Sequence, residues 1–197
     1  MDNIAIFPLS SVLLPKGRLP LQIFEPRYLD LVSRCLKDDD GFGVVWLKEG
    51  SEVDTGGDES YHRFAPIGCF AKIVDWDKLP NGLLGITIEG QKRFRLLGSH
   101  QRDDLLHMGE VEWLQDDPYI PMPEGAGELE NLLRALMDHP HIARLNFSSE
   151  VNDVASLSCI LIQLLPIEEN IKFELLCENE PHERLERLME LLDEMSQ

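Results

Sequence analysis

The stretch Ile4-Ala-Ile-Phe-Pro-Leu-Ser-Ser-Val-Leu-Leu-Pro-Lys-Gly-Arg-Leu-Pro-Leu-Gln-Ile-Phe-Glu-Pro-Arg-Tyr28 decides how the rest of this chain is read. Pro8, Pro15 and Pro20 punctuate three short apolar runs. Pro26 stands where a helix begins, because its fixed φ suits the first turn and its missing N–H is not needed there. The order is strand, loop, strand, helix. From Pro26 onward Tyr28, Leu29, Val32, Cys35 and Leu36 recur at helical spacing, and Lys37 with Asp38-Asp39-Asp40-Gly41 marks the exit. The three aspartates suggest a cation site, but three consecutive carboxylates cannot all point inward and no calcium-loop spacing follows, so they read as a solvated turn.

Outward from this stretch, residues 4–7, 12–14, 19–24, 42–47, 67–76, 83–97 and 108–114 read as strands, rich in β-branched or aromatic residues and set off by turn formers. Asn81-Gly82 supplies two positions that accept positive φ and predicts a hairpin between 67–78 and 83–97. Ile67, Cys69, Ala71 and Ile73 alternate along one face, as do Ile86 and Ile88, then Phe94 and Leu96. Residues 49–60 read as a mobile loop. The prolines and glycines of 117–127 read as a linker, after which the apolar period becomes helical. Four helices follow: one marked by Leu129, Leu132, Leu133, Leu136 and Met137, one running to Pro166, one over 168–177 and one over 183–195. The fold class is therefore α+β. A compact antiparallel β pseudo-barrel with one inserted helix (1–116) is followed by the linker and by an acidic α-helical bundle (128–197).

Composition narrows the partners. Thirty-six acids against 18 bases give a net charge of −18, and residues 117–197 carry 17 acids and 5 bases of that total. Such a field repels nucleic acid and anionic membrane surfaces and steers basic partners inward. No run approaches the roughly 18 apolar residues of a membrane span, and the start Met-Asp-Asn-Ile has an acid where a secretory leader carries bases, so a cytoplasmic location is expected. Cys35, Cys69, Cys159 and Cys177 are scattered through apolar runs and read as small buried hydrophobes.

Over residues Phe7 to Val32 the sequence resembles the amino-terminal, substrate-recognition domain of the Lon protease family, which opens with the same order of apolar, proline and Glu-x-Arg-Tyr positions. Ala65-Pro-Ile-Gly-Cys-Phe-Ala71 is similar to a further strand of that domain, and Leu84-Gly-Ile-Thr-Ile-Glu-Gly-Gln-Lys-Arg-Phe-Arg-Leu96 to its Gly-x-x-Arg-Phe segment. Leu164-Leu-Pro-Ile-Glu-Glu169 and the two helices after it resemble its helical close. The resemblance implies a PUA-like barrel in which Glu25, Pro26, Arg27, Glu89, Gly90, Arg93 and Phe94 are structural. It also implies a module that binds exposed apolar polypeptide segments or a protein partner.

The family's chemistry is not in these residues. Gly85-Ile-Thr-Ile-Glu-Gly-Gln-Lys92 has glycines at phosphate-loop spacing but Gln91 where the lysine belongs, in a strand that opens into no helix. No serine stands in a Gly-x-Ser-x-Gly elbow. His139-Pro-His141 could offer two imidazoles but has no third ligand in sight, and Arg93 and Arg95 read as outward-facing. A hydrolase built from His62, His100 or His107 has no supporting spacing. The expectation is thus a free-standing recognition module, neither catalytic nor metal- or cofactor-dependent. Leu13, Leu14, Pro15, Leu19, Phe24 and Tyr28 are its candidate peptide-binding surface, and an adaptor role in a larger assembly is the alternative.

Overall fold

The computed structural model describes residues 2–48, 64–123, 127–147 and 151–195, so the expected loop at 49–60 and His62 lie outside the described residues. Six strands form one mixed sheet: β1 (Asp2–Leu9), β2 (Arg18–Ile23), β3 (Gly41–Leu47), β4 (Phe64–Lys78), β5 (Leu84–Gln101) and β6 (His107–Trp113). Helix α1 (Pro26–Asp38) lies between β2 and β3. The carboxyl-terminal part supplies α2 (Gly127–Met137), the single turn α3 (Pro140–Ala143), α4 (Val154–Leu164), α5 (Glu169–Cys177) and α6 (Pro181–Met195).

The strand order is β2-β5-β4-β3-β1-β6, and β5 also pairs with β6, so the ladders close on themselves through β5. Its 18 residues carry three ladders, to β2 over 84–89, to β4 over 84–95 and to β6 over 94–101, and the register against β4 shifts between Gly90 and Arg93. A Cβ on Gly90 would stand 2.1 Å from the Leu14 carbonyl oxygen. Only glycine lets the β1–β2 loop come this close, and the approach is fastened by Lys16 N–H to Gly90 O (2.7 Å) and Gly90 N–H to Gly17 O (2.9 Å).

All ladders but one are antiparallel. β1 pairs with β3 in parallel, because the connection between them runs out through β2 and back through α1, a crossover long enough for parallel pairing. The hairpin between β4 and β5 turns at Leu79-Pro-Asn-Gly82, with Gly82 N–H donating to Leu79 O at 2.8 Å. Gly82 takes the positive φ of 83°, and Asn81 instead accepts the Leu83 N–H on its side-chain oxygen.

Residues 12–14 are loop, not strand, although Val12, Leu13 and Leu14 are all buried. Their amides find partners in the helical part. Val12 N–H donates to Glu169 Oε2 at 2.6 Å and Leu14 N–H to Gln163 Oε1 at 3.0 Å, while Gln163 Nε2 donates back to Val12 O. Val12 and Leu14 belong to the same apolar cluster as Leu157, Leu161, Leu176 and Leu188, and Leu13 to the cluster inside the sheet. α4 is the axis of the helical part. It is buried nearly all round, as an apolar helix packed on several sides must be, while α2 inserts Leu133 and leaves Leu129, Leu132 and Leu136 half-buried. The His139-Pro-His141 segment forms α3, with the His139 ring capping it by accepting from His141 N–H at 3.4 Å.

Candidate functional site

Glu25 and Arg27 form an ion pair at 2.7 Å, and Arg27 also donates to Leu105 O at 2.8 Å with its guanidinium over the Tyr28 ring. The start of α1 is thereby tied to the β5–β6 turn. Glu25 makes no side-chain cap bond to the helix it precedes. Tyr28 is buried and stacks on Phe7, with ring centroids 4.0 Å apart.

Glu89 holds Arg18 (2.6 and 2.7 Å), and Arg18 reaches across to the carbonyls of Leu145 and Asn146, so it clasps the segment after α3 to the sheet. Arg93 does not face outward as its alternation with Phe94 suggested. It is 4% exposed, because β5 there lies under the helices rather than on a free face. It donates to the carbonyls of Leu176 and Glu178 and to Asp117 at 2.8 Å. Asp117 also takes Arg184 at 2.6 Å, and Arg184 donates onward to Leu175 O, Glu178 O and the Cys159 sulfur. Burial opposes the charge on Arg184, and the Cys159 sulfur together with the Asp117 carboxylate more than offsets it, so its proton is held tighter than usual. Nothing in the local pattern around Asp117 or Arg184 announced this network; the two are 67 residues apart.

Above this network lies an open cleft of about 380 Å³ between β5 and the first turn of α4. Lys16, Lys92 and Asp116 stand at its mouth and Arg93, Asp117 and Cys159 at its base. Its charges serve one another. Arg93 pairs with Asp117, Lys92 lies 3.6 Å from Asp116, and Asp153 caps α4 through Ser156 N–H. Burial pushes the Cys159 thiol up to about 11, so the sulfur in the cleft is protonated at neutral pH and is a poor nucleophile. Among the described residues no group of three or more His, Cys, Asp or Glu is placed to hold a metal ion.

A second concavity, of about 250 Å³, lies at the far end of the sheet where the β4–β5 hairpin projects beside β2. Leu21, Trp76, Leu79 and Ile86 contribute its apolar lining, and Asp75 and Asp77, the chain neighbours of Trp76, line it as well. Leu79 folds across Gly85, where a Cβ would meet its side chain at 2.8 Å. Asn81 Nδ2 donates to Gln22 Oε1 at 3.2 Å and fixes the hairpin tip against β2. Trp76 is 61% exposed and Phe24, just past the end of β2 at the same end of the sheet, is 56% exposed. Of the six residues expected to form an apolar docking surface, Leu13, Leu14 and Tyr28 are buried in the core and Pro15 and Leu19 are half-buried. Phe24 alone is widely exposed. Periodicity missed Trp76 because it sits in an alternating strand that continues past the edge of the core.

The sequence pattern of the ATP-dependent protease La (LON) substrate-binding domain matches residues 3–194. The chain belongs to this family. A Lon N-terminal domain protein from Xanthomonas campestris superposes with a TM-score of 0.71 at 32% identity, over 96% of this chain and 98% of that one. The N-terminal domain of the Mycobacterium avium complex Lon protease shares the fold, with a TM-score of 0.63 at 15% identity over 96% and 97% of the two chains. Among full-length relatives, the Lon protease of Brucella abortus is 24% identical over 96% of this chain and 23% of its own length. Lon protease 1 of Hydrogenovibrio crunogenus is 28% identical over 60% of this chain and 14% of its own. The chain thus spans less than a quarter of the length of these Lon proteases. No helix among the described residues is long and apolar enough to cross a membrane.

Proposed function

We propose that this chain is a polypeptide-binding module that captures exposed apolar segments and holds them without cleaving them, and that the groove at the β4–β5 hairpin receives them. The observation that carries the reading is the exposure of Trp76 beside a ready-made apolar hollow, in a domain of the Lon substrate-binding family. A large aromatic side chain left in water at the rim of a hollow is the usual form of a binding anchor. Docking through side chains suits the β2 edge of the groove, where Pro20 has no N–H to offer a new neighbour.

Fluorescence anisotropy with an unfolded, carboxymethylated client protein and with short labelled apolar peptides tests this. Binding should exceed that of a folded acidic control. Trp76→Ala should weaken it by about tenfold or more, as the loss of an interface anchor does, with no change in the melting temperature. Equal binding by the Trp76→Ala protein, or no preference for the unfolded client, overturns the assignment.

A further inference from the structure

Resting on that reading of the hairpin groove, we infer that it selects among apolar segments by charge, taking those in which Lys or Arg flanks the apolar anchor. Asp75 and Asp77 stand on either side of Trp76 and both line the groove. Each turns one carboxylate oxygen to a backbone N–H, Asp75 to Trp76 at 2.9 Å and Asp77 to Lys78 at 2.7 Å. Neither forms an ion pair among the described residues, and the groove lining contains no base. Lys78, next to Asp77 in the chain, is exposed and lies outside the lining.

What sets these two apart is their place: both line a groove with apolar walls that holds no base of its own, so a cation from outside is what meets them there. Trp76 lines the same groove, and an indole face attracts a cation too. The net charge of −18 adds a long-range field that hastens the approach of such segments and slows acidic ones.

The test uses three labelled peptides with one apolar core and flanks of lysine, serine or glutamate, titrated into the whole protein at low salt and at about 0.5 M NaCl. At low salt the lysine-flanked peptide should bind about five- to tenfold tighter than the serine-flanked one, with the glutamate-flanked one weakest. The order should collapse at high salt, where the screening length falls to about 4 Å. Asp75→Asn/Asp77→Asn should remove the preference, so that this variant binds the lysine-flanked and serine-flanked peptides alike. Glu186→Gln/Asp193→Asn, on the exposed face of α6, should leave the preference intact. If the α6 variant lowers the preference as much as the groove variant, the selectivity belongs to overall charge and the inference falls. Equal binding of all three peptides overturns the inference alone, whereas failure of all three to bind overturns the proposed function with it.

Discussion

Gly90 shows how much one residue settles. It stands where β5 leaves its ladder with β2 and runs on toward its ladder with β6, and the missing Cβ is what admits the Leu14 carbonyl. Gly90→Ala must push that backbone away and break the two bonds that fasten the loop, so a loss of about 3 kcal/mol is expected in urea denaturation. The thiols make a separate prediction. Burial, and for Cys35 also the neighbouring Asp40 carboxylate, pushes Cys35 and Cys159 up to about 11. A thiol in the unfolded chain ionises near 8.5. Below that pH both states hold the proton and stability is complete. Above it the unfolded chain releases protons first, so stability falls as pH rises toward 11, by up to about 1.4 kcal/mol per unit for each thiol. Melting temperatures between pH 8 and 10.5 should decline, and Cys159→Ala should make the decline shallower.

Among elements, the junction of sheet and helices is the most demanding. Asp117 is the only carboxylate among the described residues that bridges Arg93 and Arg184, and both guanidiniums are almost wholly buried. Removing it leaves two buried cations facing each other. Asp117→Ala should therefore cost about 3–5 kcal/mol, read as a shift of the urea midpoint, whereas Lys92→Ala, whose partner Asp116 is exposed, should cost less than about 1 kcal/mol. α1, β4 and β5 were legible because their periodicities and the Asn-Gly turn are local. Residues 12–14 were not. A short apolar run bounded by turn formers reads as a strand, and the partners that make it a buried loop, Gln163 and Glu169, are about 150 residues away. The outward reading of Arg93 failed for a related cause: alternation assigns two faces to a strand but cannot say that helices cover the second one.

For the whole molecule, the shared apolar cluster and the arginine network imply that the sheet and the helices unfold together. All three tryptophans, Trp46, Trp76 and Trp113, stand in strands, so fluorescence reports the sheet while far-ultraviolet dichroism reports the helices. Urea curves from the two probes should coincide, and separate midpoints would show two independent units. By itself the sequence determined the α+β class, the order of most elements, the acidic balance and the family likeness, because these follow from short-range periodicity, turn chemistry and composition. The tertiary structure decided which apolar residues stay in water. Leu13, Leu14 and Tyr28 are as apolar as Trp76 and Phe24, and burial depends on whether another element arrives to cover a side chain, which is a fact about distant parts of the chain.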